Sequence, residues 1–378
     1  MADTSDTSKP LRILHLTAGS DAGGLSRYIY DLSLAMHERG HQVAVTGERG
    51  AWHWLFEKAP FPWIDAPMKG GFFSLRKAAA ILSHWIEDHP VDVLHVHYRK
   101  CSMVGRQIQK HVPIPMLYTL HLSDLRVGWP WNYFTDFGDR THVASLEARD
   151  WLIREAKIPA EKIVLLPHGI DPARFHPTTP AERTAARQSL GLLETDRVAA
   201  FVGRLERPKN EDWMLDLADQ SRHRLPNLKV LLVGQGPNQT TLRRRIARQH
   251  LESRVQLLGH RDPLPIYQAA DALLLPSLRE GFSLVCAEAM STGIPVLRTR
   301  TAGTAELILE NITGRSVPIE HDPFVDTAID FLGEISALKT MGAAASEHVR
   351  QQFTFQRQLE GTMQMYRALL EDRETRKR

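Results

Sequence analysis

Cysteine is nearly missing from this chain of 378 residues, which has only Cys101 and Cys286. The two fall in different halves and neither has a neighbour at metal-ligand spacing. A disulfide framework and a cysteine metal centre are thereby excluded, and a reduced, cytoplasmic compartment is expected. No run approaches the roughly 18 apolar residues of a membrane-spanning helix. Residues 1–10 are polar without an apolar segment, so they read as a disordered start and not as a secretion signal. Charge of one sign is lacking too: 47 Lys and Arg stand against 44 Asp and Glu, a formal net charge of +3. That balance gives no reason to expect nucleic acid as a partner.

Common catalytic signatures are also absent. The chain has no Gly-x-Ser-x-Gly elbow, no Gly-x-x-x-x-Gly-Lys loop, no cysteine triad and no full Gly-x-Gly-x-x-Gly fingerprint. Without an Asp-x-Asp pair, a divalent metal held by carboxylates is not expected, and neither a metal nor another cofactor is required. His95 and His97 share a strand face and, with His121, suggest metal ligation, but no carboxylate or cysteine completes the set. What remains is group transfer from a phosphorylated leaving group held in a cleft.

What the chain does have is alternation. Apolar runs and amphipathic helical patterns follow one another from end to end, as in βα units with parallel sheets. The first series predicts strands over 11–18, 42–46, 91–97, 116–121, 142–146 and 163–167, with a helix over 25–39 that Gly40 terminates. A stretch rich in Pro, Thr, Arg and Ala over 171–195, with one short helix at best, breaks the rhythm. A second series then predicts strands over 198–202, 229–233, 255–258, 272–275 and 295–298, with helices over 211–224, 240–251, 265–270 and 282–292. The expected class is α/β, with two Rossmann-like domains over 11–176 and 196–354 joined by a linker at 177–195 and facing a central cleft. A helix over 355–370 carries Leu359, Met363, Tyr366, Leu369 and Leu370 on one face, and a charged tail at 371–378 reads as disordered.

Candidate chemistry gathers where these strands end. Arg204 and Lys209 follow the first strand of the second series, where a diphosphate can be met by a guanidinium fork and a compact ammonium. Glu280 stands before a helix that opens at Gly281, Phe282, Ser283 and Leu284. Free N–H groups at a helix start form an anion site. Glu288 lies two helical turns from Glu280, on roughly the same side, and can accept from a diol such as ribose. In the first series, Gly23 and Gly24 separate strand from helix and allow close backbone approach. His121 ends a strand, where it can donate to a sugar hydroxyl or exchange a proton near neutral pH.

Taken together these segments resemble the GT-B glycosyltransferases of retaining family 4, over nearly the whole chain. Residues 280–288 look like the E-x7-E motif of that family, and Arg204 and Lys209 like its donor-diphosphate clamp. Gly23-Gly24 with Arg27 resembles its glycine loop, and Arg39-Gly40-His41-Gln42-Val43 its RGHEV segment. Pro167-His168-Gly169-Ile170-Asp171 resembles its PNGVD turn, with Phe175 following, and Gly293-Ile294-Pro295-Val296 continues the match. The chain departs from the pattern at Ser283 and His168, and in Thr301-Ala302-Gly303, where the family has two glycines.

The resemblance implies an NDP-sugar-dependent hexosyltransferase that retains anomeric configuration, using a UDP- or GDP-sugar in glycan, polysaccharide or glycolipid biosynthesis. Arg204 and Lys209 would hold the diphosphate, Glu288 the ribose and Glu280 the sugar hydroxyls, while His121 positions the sugar. The acceptor, a sugar or a lipid-linked sugar, would lie near His97, Arg99 and residues 129–134. The helix over 355–370 would cross back to the first domain. A basic amphipathic stretch at 70–89 leaves open a peripheral contact with the inner face of a membrane, against an ordinary helix burying its apolar stripe. A sugar-nucleotide epimerase of the same fold and a non-catalytic glycan-binding homologue are the alternatives at this point. Base, sugar, acceptor and oligomeric state are not legible.

Overall fold

Seven short runs in the amino-terminal half pair into one parallel sheet. In the computed structural model, which describes residues 9–21, 23–122, 125–129, 131 and 134–377, the strands are β1 (Arg12–Gly19), β2 (Gln42–Glu48), β3 (Trp63–Asp65), β4 (Val93–Val96), β5 (Met116–Leu120), β6 (Arg140–Val143) and β7 (Ile163–Leu165). Their order is β3-β2-β1-β4-β5-β6-β7. Between them run α1 (Gly24–Glu38), α2 (His53–Glu57), α3 (Phe72–Asp88), α4 (Arg99–Gln109) and α5 (Leu146–Arg154).

Alternation within the strands makes the two faces of this sheet chemically different. Leu14, Leu16, Leu94, Val96, Met116, Tyr118 and Leu120 join one apolar cluster with Leu75, Leu82 and Ile86 of α3 and Val104 and Ile108 of α4. On the opposite face His15 pairs in register with His95, and Thr119 with His142. His97 and His121 extend that polar row, since strand side chains repeat every second residue. The rings of Tyr28 in α1 and Tyr366 near the carboxyl terminus lie against it.

The second sheet repeats the first in order. Its strands β8 (Arg197–Val202), β9 (Leu228–Val233), β10 (Val255–Gly259), β11 (Ala272–Leu275), β12 (Val296–Thr299) and β13 (Gly314–Val317) run β10-β9-β8-β11-β12-β13. The accompanying helices are α6 (Pro180–Ser189), α7 (Trp213–Gln220), α8 (Gln239–Arg248), α9 (Leu264–Ala269), α10 (Leu284–Ser291), α11 (Thr304–Leu307), α12 (His321–Gly333) and α13 (Ile335–Gln352), followed by α14 (Phe355–Lys377). Strands buried on both faces explain the near-continuous apolar runs of the sequence. In both sheets the connections reverse direction beside the first strand, at β1/β4 and at β8/β11. Open α/β sheets bind ligands at the carboxyl ends of such strands.

Several boundaries differ from the sequence reading. The chain divides at Leu166–Pro167, and the second unit runs to Gln358, whereas 177–195 was expected to be a linker. That stretch holds α6, begun by a capping box in which Thr179 accepts from the Glu182 N–H while Glu182 reaches back. Arg183 and Arg187 of α6 then grip Asp271 at 2.5 and 3.3 Å. The strand expected over 142–146 ends earlier, because Ser145 caps α5. Residues from Leu359 onward belong with the first unit. The tail at 371–378, expected to be disordered, is helical as far as Lys377, with Asp372 paired to Arg140 at 2.8 Å. Residues 1–8 of the expected disordered start lie outside the described residues.

Candidate functional site

In the second unit the loops leaving β8 and β11 are joined. Leu278 donates its N–H to the Pro208 carbonyl at 2.7 Å, and Asn210 donates to the Pro276 carbonyl at 3.0 Å. The loop after β9 closes on them at Gly234, where an added Cβ would stand 1.7 Å from the Gly203 carbonyl, so only glycine fits. This arrangement brings Lys209 Nζ within 2.6 Å of Glu280 Oε1, with both side chains largely buried. Arg204 stays 62% exposed and leans on Glu206 at 2.7 Å. The two expected cations therefore differ in setting: each pairs with an acid, but Lys209 does so largely buried and Arg204 at the surface.

Beyond Glu280 the chain turns into α10. Phe282 is buried against His168 and Phe353, at centroid distances of 5.7 and 5.5 Å, and anchors the turn through packing. Ser283 is buried with its hydroxyl accepting from the Cys286 N–H at 3.4 Å as the helix cap. Its side chain thus points into the helix end and fills one of the free N–H positions there. Helix geometry leaves the N–H groups of Leu284 and Val285 without an intrahelical acceptor. Leu284, Val285 and Glu288 are the half-buried positions of α10. Glu288 receives the Tyr267 hydroxyl at 2.9 Å. Sequence reading missed Tyr267, since a lone tyrosine in a short helix carries no motif.

It also missed Arg298, whose only signal was a cation inside the apolar run of β12. This side chain is fully buried. Nη2 donates to Thr301 Oγ1 at 2.6 Å, while Nε and Nη1 have no partner among the described residues.

In the first unit Gly23 caps and Gly24 begins α1, and a Cβ at either would meet nothing within 4 Å among the described residues. Ala22 in the same turn lies outside the described residues. Gly23 has φ 149, a left-handed value that favours glycine. His121 follows β5 and its Nε2 lies 3.2 Å from His97 Nδ1. Burial, and then the nearby His142, push its pKa well down. That shift favours the neutral ring of His121.

His15 and His142 are the unforeseen members of the same row. His15 Nδ1 lies 3.1 Å from His97 Nε2, and His95 contacts Tyr366 and Thr119 at 2.7 Å each. The nitrogens of His15, His95 and His97 lie within 4.8 Å of one another. Those of His95 and His97 take part in the hydrogen bonds of this row.

Beside the ends of β4 and β5, the guanidinium groups of Arg99 and Arg126 lie over Trp131, at 5.6 and 5.9 Å. Trp129 is 94% exposed. Of the expected acceptor segment, Pro130, Asn132 and Tyr133 lie outside the described residues, as do Ser123 and Asp124 after His121.

Comparison with known proteins agrees with this layout. The model for glycosyl transferases group 1 matches residues 182–348, and that for glycosyltransferase family 4 matches residues 22–174. The D-inositol 3-phosphate glycosyltransferase of Nocardia farcinica is 28% identical, covering 93% of this chain and 86% of the relative. That of Mycolicibacterium gilvum is 29% identical, covering 87% and 81%. Among solved structures, a glycosyltransferase from Rickettsia africae has a TM-score of 0.85 at 20% identity, covering 96% of this chain and 99% of its own. Anabaena HepE in complex with UDP gives 0.83 at 22%, covering 95% and 100%. These structural likenesses carry the fold. With both family models matched along the chain, the protein is a sugar-transferring enzyme that belongs to the group 1, family 4 glycosyltransferases of GT-B fold.

Proposed function

We propose that the enzyme moves a hexose from a nucleoside diphosphate sugar to a phosphorylated polyol, with inositol phosphate as the leading acceptor, and with retention of anomeric configuration. One observation carries the donor half: Arg204 and Lys209 lie on the loop that leaves β8 and Glu280 on the loop that leaves β11, which runs into α10, the helix that carries Glu288 and has unfilled N–H groups at its start. Arg204 and Lys209 would hold the diphosphate and stabilise charge growing on the leaving group. Glu288, steadied by Tyr267, would take the ribose. Glu280 would take sugar hydroxyls, and His121 would contact the sugar from the first unit. No side chain here is assigned as a covalent nucleophile, and the departing phosphate would accept the acceptor proton on the same face. Metal is not needed in this scheme.

The UDP complexes of Anabaena HepE support a nucleotide-sugar donor, a uridine one first. Support for the acceptor comes from the names of the sequence relatives and from Arg99 and Arg126, whose guanidinium groups lie over Trp131 beside the ends of β4 and β5. An epimerase needs no second substrate, and none of the relatives named above is one.

The test is direct. UDP- and GDP-sugars would be screened for thermal stabilisation, where a ligand at 100 times its Kd adds about 2.7 kcal/mol. The best donor would then be assayed with D-inositol 3-phosphate, in EDTA and with Mg²⁺ or Mn²⁺, and the product anomer read by NMR. His121→Phe should lower kcat at least about tenfold. Nucleotide release independent of any acceptor would favour the epimerase, and activity abolished by EDTA and restored by metal would remove metal-free transfer.

A further inference from the structure

Arg298 holds a charge inside the second unit that no acid among the described residues neutralises. It stands third in β12, in register with Leu275 of β11, and is fully buried. A guanidinium has N–H donors on every nitrogen and keeps its charge at physiological pH. Nη2 donates to Thr301 Oγ1 at 2.6 Å and to the Ala302 carbonyl at 3.2 Å, both neutral acceptors. Nε and Nη1 donate to nothing among the described residues, and no ion pair of Arg298 occurs among them. A charge taken out of water without a partner is among the most costly arrangements a fold can hold.

The neighbours place it beside the start of α10. Gly303, in the turn that Thr301 and Ala302 begin, packs on the loop before that helix. A Cβ there would stand 3.1 Å from both the Gly281 carbonyl and Phe282 Cα. Within α10, burial raises the pKa of the Cys286 thiol. Of the charges that act on the same thiol, Arg298 lowers its pKa, Glu280 raises it and Lys209 lowers it. All three charges thus gather around one buried point. Lys209 and Glu280 form an ion pair at 2.6 Å and offset one another, so Arg298 leaves an excess of positive charge. The helix start carries positive partial charge as well, from N–H groups without an intrahelical acceptor. Positive groups this close, with no further acid of the chain to balance them, fit an anion that comes from outside.

We propose that Arg298 is a third cation of the donor site, whose charge the diphosphate of a bound nucleoside diphosphate sugar balances. Being fully buried, it acts on that ligand through its field and through the 301–303 turn that it ties down, so it is a positioning residue. The proposal rests on the donor reading of this site. It adds that the preference for a diphosphate over an uncharged nucleoside depends on a side chain of β12, outside the loops that carry Arg204, Lys209 and Glu280.

Calorimetric titration of the full chain with UDP and GDP, and ligand-observed NMR with uridine and guanosine, test it. The unaltered chain should bind one diphosphate well and its nucleoside weakly. Arg298→Met, of similar length without charge, should bind that diphosphate about tenfold more weakly and the nucleoside as before. Arg298→Lys keeps the charge and should restore most of the diphosphate affinity. Unchanged diphosphate affinity in folded Arg298→Met overturns the inference. So does an equal loss for diphosphate and nucleoside, which is what a merely structural brace would give. Should Arg298→Met fail to fold, the ¹H–¹⁵N signal of Arg298 Nε, assigned by its loss in Arg298→Lys, decides. It should shift with the diphosphate and hold still with the nucleoside, and an unmoved signal overturns the inference. If neither UDP nor GDP binds the unaltered chain, the donor reading falls and takes the inference with it, and this is seen before any variant is made.

Discussion

Lys209 Nζ lies 2.6 Å from Glu280 Oε1, so a cation expected to hold phosphate and an acid expected to hold sugar neutralise one another. With side-chain exposures of 18% and 10%, the pair sits in a low-dielectric setting where removing one partner strands the other. A donor entering here would exchange this contact for its own phosphate and hydroxyl groups.

The two cations of the clamp should therefore part company on mutation. Arg204→Ala and Lys209→Ala should each lower kcat/KM at least about tenfold, or about 1.4 kcal/mol. Arg204→Ala should keep the unmodified Tm, because its partner Glu206 is a surface contact. Lys209→Ala should lose up to roughly 3 kcal/mol of stability. Full turnover in either variant removes the clamp assignment, and an unchanged Tm in Lys209→Ala contradicts the buried pairing.

The glutamates should separate by kinetic role. Glu288 would touch ribose equally in ground and transition states, so Glu288→Gln should mainly raise donor KM. Tyr267→Phe, which removes the 2.9 Å bond to Glu288, should do the same more weakly. Glu280 would stand where positive charge develops on the sugar, so Glu280→Gln should chiefly lower kcat. Steady-state kinetics with saturating acceptor decides this, and the reverse pattern means the donor lies the other way round.

Acid should loosen the first unit through its histidines. Burial lowers the pKa of His15 to about 3 and that of His142 to about 4, from 6.5. The unfolded chain binds these protons first, so the stability is complete above pH 6.5. It is lost as pH falls from there toward 4 and 3. Each residue contributes on the order of 1.4 kcal/mol per pH unit in that window. Urea unfolding between pH 6 and 5 should be less pH-dependent by about this amount in His142→Gln, and an equal slope would sink the idea.

Membrane contact has little left to rest on in α3. Leu75, Ala78, Ala79, Leu82 and Ile86 are buried in the core, leaving Phe72 and Phe73 exposed at its start, 56% and 85%. No helix among the described residues is long and apolar enough to cross a membrane. If the remaining pair is a lipid contact, the chain should float with anionic liposomes at low salt and Phe73→Ser should abolish this. An unmodified chain that stays at the bottom of the gradient removes the contact.

Local patterning alone revealed the α/β class, the two series of strands, the loops that carry Arg204, Lys209 and Glu280, and the helix that carries Glu288. Each of those rests on short-range rules: apolar strands buried on both faces, glycine turns and helix starts. The same rules contained α6, where Thr179, Pro180 and Glu182 spell a capping box, but a Pro- and Thr-rich composition masked it. Only the tertiary structure could pair Lys209 with Glu280 or Tyr267 with Glu288, because no periodicity predicts which strand ends become neighbours. His15, His95, His97, Thr119 and His142 come from four strands, and only their register makes one polar row of them. Long-range pairing decided that row, and burial decided that its histidines are neutral, whereas the sequence by itself determined that strands would be there to carry them.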